Sequence, residues 1–277
     1  MPFDQETVAE LQNRSRQIRR DILEMVHAIQ SGHPGGSLSI VEILLVLYRK
    51  KMRIDPQDPH SQDRDRFVLS KGHCAPALYA VLADMGYFPK EALKESFRRI
   101  NGMLQGHPDM NKTPGIDMTT GSLGIGLSVG CGMAFGARIL GKDFRVYVLT
   151  GDGELNEGQV WEAAKTAAHH RLDNLTVIVD ANGYQNDGPT RVEMNMEPLA
   201  EKWRAFGWDV QEVDGHSIEQ LSSAFDQVPA PSGRPTAIIC RTVKCKGVSF
   251  MEEDKVKYHG TPPDGEQLSQ ALSELGC

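Results

Sequence analysis

"FRVYVLTGDGELNEG" (residues 144–158) joins an apolar, β-branched run to an acidic turn rich in glycine, and "NLTVIVDANGYQNDG" (174–188) repeats that junction one helix later. Runs that are apolar on both faces belong to strands covered on both sides, the habit of parallel sheets. Around them the pattern alternates: helical spacing over 157–171, near 198–206 and over 217–228, with strand-like runs at 208–214 and 235–243. This alternation predicts a doubly wound α/β fold, a mostly parallel sheet with helices on both faces. Ligands of such sheets bind beyond the carboxyl ends of the strands, where both acidic turns lie.

Upstream, Val8, Leu11, Ile18, Ile22, Leu23 and Val26 recur at helical spacing and predict a helix over 5–30. The turn "SGHPGGS" closes it, and "SIVEILLVLYRKKM" (39–52) predicts another. A strand is expected at "RFVLS" (66–70), then a glycine turn leading into an apolar helix over 71–86. Residues 100–123 are irregular, and a loop of that length is functional or disordered. The small-residue helix expected over 124–140 suits close packing against a sheet or a second subunit. A tail (246–263) and a short final helix follow the last strand. No repeat or linker interrupts the chain, so one domain with a C-terminal tail is expected over 1–277.

A net charge of -7 argues against nucleic acid or an anionic membrane as partner. Cys74, Cys131, Cys240, Cys245 and Cys277 form no CxxC pair, which fits reduced thiols in a cytoplasm. No run approaches the ~18 apolar residues of a membrane span, and the charged amphipathic start does not read as a signal peptide.

Asp152 and Asn182 end two successive strands and share a crevice if those strands are neighbours. Their hard oxygens favour Mg²⁺ or Ca²⁺, with phosphate oxygens completing the shell. Gly151 and Gly153 let backbone amides approach a phosphate. Asp and Asn more commonly serve as caps in such turns, so the residues alone leave both readings open. No GxGxxG follows the first strand, and no GK[ST] occurs.

The GDG turn with Asn182 one strand later resembles the thiamine diphosphate motif, and the rest of the chain narrows the resemblance to the transketolase family. "SGHPGG" (His33), "LSKGH" (His73), "GHPD" (His107) and "YHGTPP" (His259) are similar to that family's histidine segments in order and context, and "TTGSLGIGLSVGCGMA" is similar to its loop beside the thiazolium. The resemblance, which runs from about 14 to 263, implies that Asp152 and Asn182 bind Mg²⁺ (or Ca²⁺) through side chains and Tyr184 through its carbonyl. It implies that Gly153, Glu154, Asn182, His73, His259, Gly121, Ser122 and Leu123 contact the cofactor. His33, His107 and His259 would carry the chemistry on the substrate. Lys71 departs from the family's more usual Asn, and Tyr184 from its frequent Ile. His27, His60, His169, His170 and His216 fall outside these segments and are expected to be ordinary surface or packing histidines.

The chain resembles only the diphosphate-binding domain. The resemblance implies a complementary C-terminal transketolase subunit with the pyrimidine and C-terminal domains, in an α2β2 assembly with cofactor at the interfaces. Met1 and the closing "SELGC" look like native termini, so a natural subunit is expected, with a piece truncated from a longer chain as the alternative. The expected reaction transfers a two-carbon ketol unit from a ketose phosphate to an aldose phosphate. The alternatives are half of a 1-deoxyxylulose-5-phosphate synthase-like enzyme, an enzyme for an unusual sugar phosphate, or a non-catalytic partner-binding subunit.

Overall fold

The strands β1 (Arg66–Leu69), β2 (Val146–Gly151), β3 (Leu175–Ala181), β4 (Asp209–Asp214) and β5 (Thr236–Arg241) lie parallel in the order β1-β2-β3-β5-β4. The computed structural model describes residues 3–276. Alternation along the strands splits the core in two. Phe67, Leu69, Tyr147, Leu149, Ile178 and Ile238 face one layer, while Val68, Val146, Val148, Val177, Val179 and Ile239 face the other. Helices cover both sides, as the alternation predicts.

The first layer is built from α1 (Gln5–Ile29), α2 (Pro34–Leu38), α3 (Val41–Val46) and α4 (Ala75–Met85), followed by the short α5 (Ala92–Glu95). The opposite layer holds α6 (Ile125–Ile139) and α7 (Gly158–His169), then α9 (Leu199–Ala205) farther along; the short α8 (Thr190–Glu193) before it buries no residue. α10 (Ile218–Asp226) returns to the first layer, and α11 (Ser249–Glu253) and α12 (Gly265–Glu274) close the tail. Asp264 and Gln267 cap α12 reciprocally.

Two local expectations need correction. "SGHPGGS" is not only a turn, since Pro34 opens α2 there, its fixed φ and missing N–H suiting a first helical turn. The helix expected over 39–52 stops at Val46 and widens into a π turn, Leu47–Lys51, which keeps Leu47 and Tyr48 buried. Residues 96–124 contain no helix or strand, yet they are pinned. Tyr79 Oη donates to the carbonyls of Gln105 (2.9 Å) and His107 (3.1 Å). The Asp117 carboxylate accepts from Arg64 (2.5 Å) and from the Phe67 amide (2.8 Å). No helix among the described residues is long and apolar enough to cross a membrane. Cys277 lies outside those residues; the other four cysteines are free and buried.

α6 meets the sheet at van der Waals limits. A Cβ on Gly130 would come within 2.4 Å of Val148, and one on Gly126 within 2.3 Å of Ser70 Oγ. A Cβ on Gly132 would meet nothing within 4 Å. Gly130→Ala is therefore expected to destabilise the chain by about 2 kcal/mol through overpacking, whereas Gly132→Ala should stabilise it by up to about 1 kcal/mol through helix propensity. Denaturant titration of the two variants checks the opposite signs.

Candidate active site

Asp180 is fully buried at the end of β3 and gathers four segments. Its Oδ2 accepts from Lys71 Nζ (2.5 Å), Ser39 Oγ (2.7 Å) and Asn182 Nδ2 (2.7 Å), and its Oδ1 from Thr242 Oγ1. Burial opposes ionisation of this carboxyl, but the Lys71 charge and these donors outweigh it and hold it below the usual range. Lys71, itself buried, keeps its proton because the Asp180 charge outweighs burial. The replacement of the family's usual Asn thus places an ammonium under the site.

Above this pair opens a cavity of about 620 Å³, lined among others by His33, His73, Gly121, Leu123, Asp152, Gly153, Asn182, Tyr184, Lys244 and His259. Gly151 pairs with Asp180 across β2 and β3, so Asp152 and Asn182 do share one crevice. Asp152 Oδ1 accepts from the Gly153 amide (2.9 Å) and Oδ2 from the Gly183 amide (2.7 Å). It therefore acts as a turn cap, with lone pairs left over for a cation. Burial, with the Asp180 charge behind it, pushes this carboxyl up to about 7. Negative charge here is under-compensated, which suits a cation-binding position. Asn182 Oδ1 accepts from the Tyr184 amide (3.0 Å), and the Tyr184 carbonyl accepts no hydrogen bond among the described residues. Those residues contain no cluster of three His, Cys, Asp or Glu able to hold a metal. A cation would rest on one carboxylate with amide and carbonyl oxygens, a set that fits Mg²⁺ completed by phosphate and water.

The four histidines of the ordered segments converge. The His33 ring lies 5.2 Å from that of His73, 5.5 Å from that of His259 and 6.4 Å from that of His107, while His73 and His259 stack at 5.3 Å. Burial, then the Arg98 charge, lowers His33 to about 4; burial, then Lys244, lowers His259 to about 3. His73 falls well below its usual value through burial and Lys71, and His107 is lowered by burial and Arg98. At neutral pH all four rings are uncharged. His33 Nδ1 is buried without a partner and open to hydrogen bonding with a ligand. Lys244 Nζ donates to His259 Nδ1 (2.9 Å) and to the Gln185 carbonyl (3.0 Å), leaving Nε2 of His259 as the donor.

Other expected residues sit differently. Glu154 reaches the cavity wall, but its carboxylate accepts from Ser70 Oγ, the Gly124 amide (2.9 Å) and the Gly151 amide (3.1 Å), which makes it a brace between three loops. Ser122 lines a smaller recess beside Met118, Ile125 and Val129. His107 lies outside the main cavity, against Gly121, whose Cβ would come 3.2 Å from its ring. Gly72 admits the loop itself, for a Cβ there would strike Thr120 Oγ1 at 2.7 Å and the Gly121 amide at 2.9 Å. Asp180 and Lys244 escaped the reading from sequence. The signal was there, since each stands at or just past the carboxyl end of a strand.

The chain matches the protein family described as "Transketolase, thiamine diphosphate binding domain" over residues 11–277. It is 47% identical to a 6-deoxy-6-sulfo-D-fructose transketolase subunit SqwG of Clostridium sp. (strain MSTE9), covering 96% of each chain. It is 40% identical to a subunit of the apulose-4-phosphate transketolase of Phocaeicola vulgatus, covering 97% of this chain and 94% of that one. Transketolase from Leishmania mexicana superposes with a TM-score of 0.90 at 33% identity, over 96% of this chain but 41% of that enzyme.

Burial, with Lys71 adding to it, lowers the Lys244 ammonium to about 8. Above that pH, binding an anion beside Lys244 requires the amine to take up a proton from solvent. Affinity for Mg²⁺–pyrophosphate is therefore expected to fall about tenfold per unit above pH 8, and Lys244→Met should remove that component of the slope. Calorimetric titration across pH 6.5–9.5 measures both; identical slopes would refute the assignment.

Proposed function

Because the chain belongs to the transketolase family, as its thiamine diphosphate binding domain, we propose that it is the diphosphate-binding subunit of a two-chain transketolase, moving a two-carbon ketol unit from a ketose phosphate to an aldose phosphate. What carries this reading is the convergence of Asp152, Asn182, the Tyr184 carbonyl, Lys244 and neutral histidines on one cavity at the strand ends. The whole of 1–277 is read as one domain with its tail.

Bound there, thiamine diphosphate would supply the electron sink for carbon–carbon cleavage. Asp152, Asn182 and the Tyr184 carbonyl would hold Mg²⁺ or Ca²⁺. Lys244, His73 and His259 would meet the diphosphate, and Gly153, whose amide donates to Asp152, would border it, with Glu154 holding the Gly124 and Gly151 amides in place. Gly121, Ser122 and Leu123 would flank the thiazolium. His33 and His107 would take and return substrate hydroxyl protons, with His259 assisting, for which neutral rings are the competent state.

A partner chain would complete the site, in an α2β2 assembly in the cytoplasm. Relatives that match this chain over nearly their whole length are themselves called subunits. Ile125 at the start of α6 and Ile139 and Leu140 at its end are exposed and available for such a contact. A second reading is favoured by the 47% relative, whose name carries a sulfo sugar: the donor is then a 6-sulfo ketose in place of a ketose phosphate.

In the reconstituted complex, Asp152→Ala is expected to lower thiamine-dependent ketol transfer by more than about a hundredfold; unchanged turnover would remove Asp152 from the metal site. Product analysis with ketose phosphate and sulfo-ketose donors separates the two substrate readings. Carbon dioxide released from a 2-oxo acid would sink both.

A further inference from the structure

His216, expected to be an ordinary packing histidine, belongs instead to a buried network. Its Nε2 accepts from the Val243 amide (2.9 Å), so that nitrogen carries no proton. Nδ1 must then hold the hydrogen and donate to Glu42 Oε2 (2.9 Å). Glu42 also takes a two-pronged pair from Arg19, at 2.6 and 2.8 Å. Burial opposes this carboxylate, yet Arg19 and the His216 hydrogen bond bring it down to about 2. Arg19 Nε continues past Glu42 to the Lys246 carbonyl (2.9 Å).

These contacts fall on the segment that follows β5. Val243 is held by His216, Cys245 by the Gly35 carbonyl (2.9 Å), and Lys246 by Arg19. Cys245 takes a positive φ of 69°, which turns the chain sharply at that point. Lys244 stands inside these three anchors, and its ammonium reaches the cavity and His259. We propose that His216, backed by Glu42 and Arg19, is a positioning residue that clamps Val243–Lys246 and thereby fixes the Lys244 ammonium and its partner His259 against an anionic ligand. None of the three network side chains lines the cavity, so they act through the backbone of the clamped segment. The inference rests on the reading of Lys244 as a diphosphate contact.

Two substitutions divide the function of the ring. Asn can replace Nδ1 and keep the Glu42 contact, but it cannot reach Val243. Gln places an oxygen near the position of Nε2 and restores an acceptor for the Val243 amide. In the full chain, His216→Asn is expected to speed amide hydrogen exchange selectively in residues 243–246 and to weaken binding of Mg²⁺–pyrophosphate, each by about tenfold, the worth of one hydrogen bond. His216→Gln should stay within about twofold of the unmodified chain in both. In the reconstituted complex the Asn variant should raise KM for thiamine diphosphate more than it lowers kcat. Unchanged exchange at 243–246 in the Asn variant, a rise spread evenly over the whole chain, or failure of Gln to restore the segment would each overturn the clamp. Full pyrophosphate affinity in Lys244→Met would instead overturn the diphosphate reading, and the exchange data would still decide the clamp.

Discussion

A single buried ion pair, Lys71 with Asp180, underlies the arrangement of the site. Removing either partner would leave an uncompensated charge inside the protein, at a cost of about 3–5 kcal/mol. The pair joins the end of β1 to the end of β3, and Ser39 and Thr242 tie in the α2–α3 corner and the end of β5. Four separate stretches of chain therefore meet at one carboxylate. The same charges reach upward into the cavity: Asp180 makes Asp152 harder to ionise, while Lys71 makes His73 harder to protonate. Structure and reactivity share one origin here.

The histidine cluster follows the same logic. Rings 5–6 Å apart, most of them partly buried and flanked by Lys71, Lys244 or Arg98, repel additional positive charge. Neutral rings can hydrogen-bond hydroxyl groups, the role the proposed function gives them. In the proposed function, anion recognition would fall to Lys244 and the backbone amides, and cation recognition to Asp152 and its oxygen neighbours. The division of labour explains how a chain of net negative charge can present a site for a diphosphate.

The strands were readable because continuous β-branched runs such as "TVIVDA" and "VYVLT" fit a sheet buried on both faces. The acidic turns were readable because a strand-end position in such a sheet restricts what they can do. Asp152 and Asn182 were placed in one crevice on the condition that β2 and β3 are neighbours, and they are. What stayed hidden was long-range pairing. Nothing in the local pattern joins Lys71 to Asp180, 109 positions on, or Glu42 to His216, 174 positions on. Helix ends were also missed where burial overrode periodicity, as in the π turn that keeps Tyr48 inside. Glu154, expected from the resemblance to contact the cofactor, does line the cavity, but its three donors could not be read from sequence.

Asp117 shapes how this molecule can associate. β1 is an outer strand of the sheet, and its Phe67 amide would be a template for another chain's backbone. The long loop returns along that margin and places the Asp117 carboxylate on the amide, with Arg64 holding it there. The opposite margin, β4, carries the charged Asp209, Glu212 and Asp214, with Glu212 paired to Arg241, and a charged edge of this kind disfavours a second strand laid alongside. Growth of the sheet is thus discouraged at both borders, which favours association through faces of helices and loops over lengthening of the ladder.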